Sequence, residues 1–462
     1  MPNRGPALVG ILLGVATTAV YLIGSGRSYG YDAAATFANF IATPSLLDAF
    51  AVHPALPTIP IKTIASNDHV LFSLISHVIY SATGSRSEVV YRLLPVMAAG
   101  GTVGVTGMAL SRRFGMLAGV SAALYIATDP LFVDNSRDLR GYSLAALCAV
   151  LATVLLAADR SGEQPDRSPL RSAGRPREAR AGWPRLRLFV YALLLGLAIA
   201  AHVFAVVVLA GHVVWIATRR SMPSLIQFAP AWFLAALIGV AANANIEFME
   251  LIQHGFPPSL FYPTFPRDLV FFLLGAPVLL PLGLWLSTAG LGLWALRTEP
   301  WLWAGLAVIA IVVAMLWLGL QPAYLFPRFF IFLVPGCAYL MAGAIARWKV
   351  LAPVVVLGVA VAAVSQVTGY TEDPLALPQA AAFVERAHAA GEEVCVIHAD
   401  EQVLAAYTTD FTVVSSAEQL SECDAVVVVS WNVDLALRAV AAEQFPRTTV
   451  LQAYYPAVVL ER

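Results

Sequence analysis

Between Ala7 and Thr368 the sequence keeps returning to apolar stretches of about 15–25 residues, the length range of helices that cross roughly 30 Å of hydrocarbon. No other feature restricts the chain so tightly. Inside a bilayer each backbone amide must find its partner within its own segment, so these stretches have to be helices packed side by side. The composition agrees, with 59% of the 462 residues hydrophobic and 12% charged. A formal net charge of −1 argues against nucleic acid as a partner. Four cysteines, none in a CxxC pair, argue against a disulfide scaffold or a thiolate zinc centre.

The stretches predict eleven spans, at 7–25, 90–110, 115–133, 141–158, 187–201, 203–218, 225–243, 269–295, 301–320, 329–346 and 350–368. Arginine orients them. With the N-terminus in the cytoplasm, the inner connections run from Arg4 through "SRRFG" (111–115) and "TRRS" (218–221) to "RWK" (347–349). They hold twice as many basic residues as the outer ones, the bias expected of helical membrane proteins. The first run has no persuasive cleavage site and reads as a retained span. Residues 159–186, rich in Arg, Pro and Ser, read as a disordered cytoplasmic linker. The shorter apolar stretch 68–84 carries His77 between polar flanks and reads as a helix lying along the outer surface.

An odd number of spans puts the C-terminus outside. Residues 371–462 form the expected second unit, after a transmembrane unit 1–370 whose first outer loop is 26–90. In this tail, short β-branched runs such as "EVCVIHA", "FTVVSS" and "DAVVVVS" alternate with helix-like segments such as "PQAAAFVERAHAAG". The pattern predicts a small α/β domain with a mostly parallel sheet. The fold class is therefore a polytopic α-helical membrane protein with a small extracytoplasmic α/β domain. No G-x-G-x-x-G turn follows a strand, so nucleotide binding has no support. Cys395 and Cys423 could pair if the tail lies outside the cytoplasm, whereas Cys148 and Cys337 read as small core residues.

In this orientation the side chains able to do chemistry collect outside. "RSYGYDAAATFANF" (27–40) sets Asp32 just past a span, where a carboxylate is costly without a task. Lys62, Asp68 and His69 follow in the same loop. "TDPLFVDNSRDLRGYSLAAL" (128–147) holds Arg137, Asp138, Arg140 and Tyr142. His202 lies in a tight turn, and "QPAYLFPRFF" (321–330) holds Tyr324 and Arg328. Guanidinium forks suit phosphate oxygens, and a carboxylate can take a proton from an attacking hydroxyl. Each also has a plainer use. Asp32 suits a helix start, His202 a structural hydrogen bond, and the arginines can anchor at headgroups, as Arg92 in "VVYRLLP" is read to do.

The order "YDAAAT … NDHVLFSLISHVIYSATGSRSEVVYRLLPVMAAG … LSRRFG … DPLFVDNSRDLRGYSLAAL … AHVFA … YLFPRFFIFLVP" resembles integral-membrane glycosyltransferases of the GT-C superfamily over roughly residues 7–350. It is similar above all to bacterial relatives of protein O-mannosyltransferases and lipid A aminoarabinose transferases. The resemblance implies transfer of a sugar from a polyprenyl-phosphate carrier, with inversion, to an acceptor hydroxyl at the outer face of a bacterial cytoplasmic membrane. It implies Asp32 as catalytic base and Arg140 and Arg328, with Arg137 or Lys62, as donor-phosphate ligands. Asp68, His69, Asp138, Tyr142, Tyr324 and His202 would then lie around the sugar or acceptor. Many relatives have Asp-Glu where this chain has Asp32-Ala33, so metal-independent chemistry and no cofactor are expected, a divalent cation being left open. The sugar and the acceptor (lipid, polysaccharide or protein) are not specified. A lipid transporter would place charges deep in its spans and repeat its halves, and neither is present. A non-catalytic scaffold would account for the tail but not for the outer carboxylates and arginines.

Overall fold

The computed structural model describes residues 4–50, 69–157, 183–219, 222–243, 264–275, 278–319, 326–366, 376–397, 401–429, 435–451 and 457–462. The linker 159–182 and most of the loops 43–67 and 243–268 lie outside the described residues. The architecture is a bundle of apolar helices carrying a small sheet at the C-terminal end. Among the described residues, four helices are long and apolar enough to span a membrane: Gly5–Leu22, Glu88–Phe114, Leu225–Asn243 and Pro327–Arg347. The bent pair Met116–Thr128 and Pro130–Ser136 makes a fifth if counted as one span, and several shorter apolar helices accompany them.

Two predicted helices are not continuous. The run 115–133 breaks at Asp129, where the chain bends by 59°. Pro130 cannot donate to the preceding turn, and the Asp129 carboxylate accepts from the Phe132 amide at 3.0 Å, opening a new helix. The run 269–295 is two helices, Phe265–Phe272 and Leu279–Ala295, parted by Gly275 at φ 101. Hydropathy cannot see such breaks, because the residues at them are themselves apolar or singly polar.

Glycine sets the approach of the first two long helices. Gly10 and Gly14 face Gly100 and Gly104, and a Cβ on Gly104 would lie 2.6 Å from the Gly10 carbonyl oxygen. Small residues four apart on both helices let the backbones touch, the usual route to tight packing where lipid removes the hydrophobic drive. This crossing brings Arg92, near the start of the Glu88–Phe114 helix, against the turn that leaves Gly5–Leu22. Arg92 is 2% exposed and donates to the carbonyls of Ser25 (2.8 Å), Arg27 and Ser28 (2.8 Å). It is not an interfacial anchor; it ties down the chain that leads to Asp32.

The tail has every predicted strand and helix, but its sheet is mixed. The order is β2-β1-β3-β5-β4, from β1 (Val394–Ile397), β2 (Thr412–Val414), β3 (Ala425–Val428), β4 (Arg447–Leu451) and β5 (Ala457–Glu461). Only β1 pairs in parallel, with β2 and β3; β5 runs antiparallel to β3 and β4. Too few residues separate β4 from β5 for the crossover a parallel pair needs. Alternate residues of β1 feed two cores. Val394 and Val396 join the core that continues into the helical bundle, while Cys395 and Ile397 join a second one with Val426, Leu437 and Phe445. Cys395 and Cys423 form a disulfide.

Candidate functional site

Three chain segments far apart in sequence meet at one carboxylate. Asp32 lies in the first turn of a short helix, Tyr31–Thr36, that runs on into a wider turn, Phe37–Ile41. Gly30, not Asp32, is its N-cap. Ala33, Ala34 and Ala35 are fully buried, so the helix packs flat on its neighbours and leaves Asp32 at the rim with its side chain 28% exposed.

The second segment is the turn between Pro130–Ser136 and Tyr142–Ala157. The Asp138 carboxylate accepts from the Leu139 amide at 2.9 Å, its carbonyl accepts from the Arg140 amide at 2.8 Å, and Leu139 is fully buried between the two. Gly141 follows, and a Cβ there would collide with the Ala201 carbonyl. That close approach seats Arg140 in the interior, 1% exposed. Its Nη2 lies 2.9 Å from Asp32 Oδ2, and its Nε lies 3.7 Å from Asp138 Oδ2. The third segment is the 3-10 turn Pro327–Leu333, opened by a proline at its first position. Arg328 reaches the same Asp32 oxygen at 3.1 Å, with its guanidinium carbon 4.8 Å from the centre of the Phe326 ring.

Histidines close the back of the site. His69 Nδ1 donates to the Ala201 carbonyl at 3.0 Å, which leaves Nε2 to accept from Arg140 Nη1 at 3.4 Å. The His69 ring is 4.8 Å from Tyr142 and 5.3 Å from His202. His202 Nδ1 accepts from the Phe204 amide at 3.3 Å, capping the turn between two helices. Burial, reinforced by the Arg140 charge, pushes the His69 imidazole well below its ordinary value. Burial with Arg140 and Arg328 takes His202 down to about 3. Both are therefore neutral at physiological pH. Burial alone would raise the Asp32 carboxyl, but Arg140 and Arg328 outweigh it and hold the group below its usual range. At rest Asp32 is an ionised carboxylate shared by two guanidiniums.

Beside Arg328 opens a cavity of about 410 Å³ lined by residues including Arg27, Arg92, Asp134, Arg137 and Asp138. Arg137 faces this cavity and donates to the Ile23 carbonyl at 2.7 Å, an anchoring contact to the turn that follows Gly5–Leu22. Of the residues singled out in the sequence, Asp32, His69, Asp138, Arg140, Tyr142, His202 and Arg328 come together, and Arg137 stands alongside. Lys62, Asp68 and Tyr324 lie outside the described residues. Among the described residues no group of three or more His, Cys, Asp and Glu side chains is placed to hold a metal. Sequence reading took Arg92 for an anchor and missed Gly141. A charge at the head of a long apolar run and a glycine directly after Arg140 were the available signals.

The fold is shared with solved glycosyltransferases of the GT-C superfamily. The chain aligns with the crystal structure of ArnT from Cupriavidus metallidurans in the apo state at TM-score 0.57 and 14% identity, over 97% of this chain and 97% of that one. With the same organism's ArnT bound to undecaprenyl phosphate the TM-score is 0.56 at 13% identity, over 99% and 98%. With the arabinofuranosyltransferase AftD from mycobacteria it is 0.53 at 13% identity, over 97% of this chain and 37% of that one. No family model matches the sequence, and no curated protein matches it.

Proposed function

We propose that the protein is an inverting glycosyltransferase that moves a sugar from a polyprenyl-phosphate carrier to an acceptor hydroxyl on the outer face of a bacterial cytoplasmic membrane. The observation that carries this reading is the Asp32 carboxylate shared by Arg140 and Arg328, the latter lining an arginine-rich cavity. The shared fold with an ArnT bound to undecaprenyl phosphate supports the carrier class. The Cys395–Cys423 disulfide supports an oxidising, extracytoplasmic setting for the tail, hence an odd number of spans, eleven in our reading, and a division at about residue 370.

In this mechanism the carrier phosphate competes with Asp32 for the two guanidiniums, which hold it by charge-assisted bonds. The exchange releases the carboxylate. An acceptor hydroxyl then attacks the anomeric carbon from the face opposite the carrier. The bond from that carbon to the phosphate oxygen breaks, its electron pair stays with the phosphate beside Arg140 and Arg328, and the hydroxyl proton passes to Asp32. His69 and the buried Tyr142 hold Arg140 in place, and Asp138, on the cavity wall, flanks the sugar. Asp32 stands alone, with Ala33 after it and both nearest partners cationic, so the proposed chemistry is metal-independent.

The test is carrier binding by the full chain in lipid, followed by donor consumption from a panel of undecaprenyl-phosphate-linked sugars. Wild type binds undecaprenyl phosphate, and Arg140→Ala or Arg328→Ala weakens binding about tenfold to a hundredfold, the worth of one charge-assisted hydrogen bond. Wild-type protein that fails to bind undecaprenyl phosphate, or binding indifferent to both arginines, would sink the proposal.

A further inference from the structure

The tail does not merely sit on the helical bundle; it grips the chain three residues before Asp32. The Tyr407 hydroxyl accepts from the Tyr29 backbone amide at 2.8 Å and donates to the Glu88 carboxylate at 2.7 Å. Both of its functions as a hydroxyl are thus used, one on the Asp32 strand of chain and one on the Glu88–Phe114 helix. Next to it the Ala406 carbonyl accepts from Arg86 Nη1 at 3.2 Å, and the Arg86 carbonyl accepts from the Tyr29 hydroxyl at 3.4 Å. The Tyr407 and Tyr29 rings lie 5.5 Å apart, and Tyr29 is fully buried. The short helix Glu401–Leu404 packs on the Asp32 helix itself, with Val403 and Leu404 fully buried.

This contact completes a clamp. On one side Arg92 holds the carbonyls of Ser25, Arg27 and Ser28, and its guanidinium lies 5.6 Å from the Tyr29 ring centre. On the other side Tyr407 holds the Tyr29 amide. Between Tyr29 and Asp32 there are only Gly30 and Tyr31, and Gly30 begins the helix. The backbone that leads into Asp32 is thus held by a residue of the C-terminal tail, about 375 positions away in sequence.

We propose that Tyr407 is a positioning residue for the Asp32 base, so that docking of the tail sets the reactive geometry of the first outer loop. The proposal rests on the glycosyl-transfer reading for its catalytic consequence, but the clamp can be measured apart from it. Burial, with the Glu88 carboxylate, raises the Tyr407 hydroxyl far above physiological pH, so it keeps the proton it donates to Glu88. Positioning effects of this kind fall on turnover rather than on binding of the carrier, because Arg140 and Arg328 belong to other segments.

The experiment compares wild type, Tyr407→Phe and Glu88→Ala as full chains in lipid nanodiscs. Amide hydrogen exchange is followed at 29–36 and in β1 and β3, together with undecaprenyl phosphate affinity and kcat and KM for whichever panel donor wild type consumes. In both variants exchange at 29–36 is expected to rise about tenfold, with β1 and β3 unchanged. Carrier affinity and KM should stay within about threefold while kcat falls about tenfold. Unchanged exchange at 29–36, an unchanged kcat, or a parallel loss of carrier affinity would each overturn the proposal. Should Tyr407→Phe loosen β1 and β3 as well, Glu88→Ala, which leaves the tail's own sequence intact, decides. Wild-type protein that binds no undecaprenyl phosphate overturns the transfer reading instead, while the exchange data still report whether the clamp exists.

Discussion

Asp32→Asn separates a base from a counter-ion. The substitution keeps the side chain's shape and removes the charge that Arg140 Nη2 and Arg328 reach at 2.9 and 3.1 Å. Two consequences follow, with different sizes. For turnover, loss of a general base costs about 10²–10⁴-fold, or about 3–5 kcal/mol of barrier. For stability, breaking a fully buried ion pair costs about 3–5 kcal/mol. Here the loss should reach only about 1–2 kcal/mol, because Asp32 is 28% exposed and Arg140 keeps Asp138 at 3.7 Å. Carrier affinity should hold or rise, since the phosphate no longer competes with a resident carboxylate. The assay measures kcat on a consumed undecaprenyl-phosphate-linked sugar and carrier affinity in the same preparation, with denaturant unfolding in lipid as the control. Wild-type kcat in the variant would refute the base assignment outright. A carrier affinity tenfold weaker with kcat unchanged would reduce Asp32 to a spacer that organises two arginines.

Gly141→Ala should lower kcat and loosen the turn 137–141 in hydrogen exchange, because the added methyl meets the Ala201 carbonyl and pushes Arg140 outward; a wild-type rate would show that the turn gives way freely. Gly104→Leu should destabilise the bundle by about 1–3 kcal/mol in unfolding titrations, since even a Cβ there lies 2.6 Å from the Gly10 carbonyl oxygen. His202 has a folded-state value of about 3, below its unfolded value of about 6.5, so its contribution is intact above pH 6.5 and is lost as pH falls toward 3. His202→Gln should accordingly flatten the loss of stability between pH 6.5 and 4, with Arg140, Arg328, His69 and Tyr142 the other charged or titratable groups facing that ring. Replacing Cys395 and Cys423 by Ser should destabilise the tail by about 3–4 kcal/mol in denaturant titrations, the loop-closure cost for a separation of 28.

The apolar runs alone determined that this chain is a helical membrane protein, because hydrocarbon leaves the backbone no other choice over such lengths. The order of polar motifs along the loops also marked Asp32, Arg140, Arg328, His69 and His202, which the fold brings together. The sequence pattern found the five strands and the two longer helices of the tail but not the short helix Glu401–Leu404, and the antiparallel pairing of β3 with β5 was not legible. Pairing between β3 and β5 depends on which edges the core leaves open, and that is a property of the packed whole. The breaks at Asp129 and Gly275 were hidden for the opposite reason: they lie inside apolar runs, where hydropathy averages over the residue that turns the chain.

Tertiary structure alone decided what each charge does. Arg92 and Arg140 are both arginines at the ends of apolar helices, and hydropathy does not distinguish them. One is spent on three backbone carbonyls and the other on a carboxylate, because the glycine crossing of the first two long helices and the Gly141 approach to Ala201 put different partners within reach. The link from Tyr407 to Tyr29 was equally out of sight, since a hydroxyl's two partners are chosen by where the folded chain brings an amide and a carboxylate together.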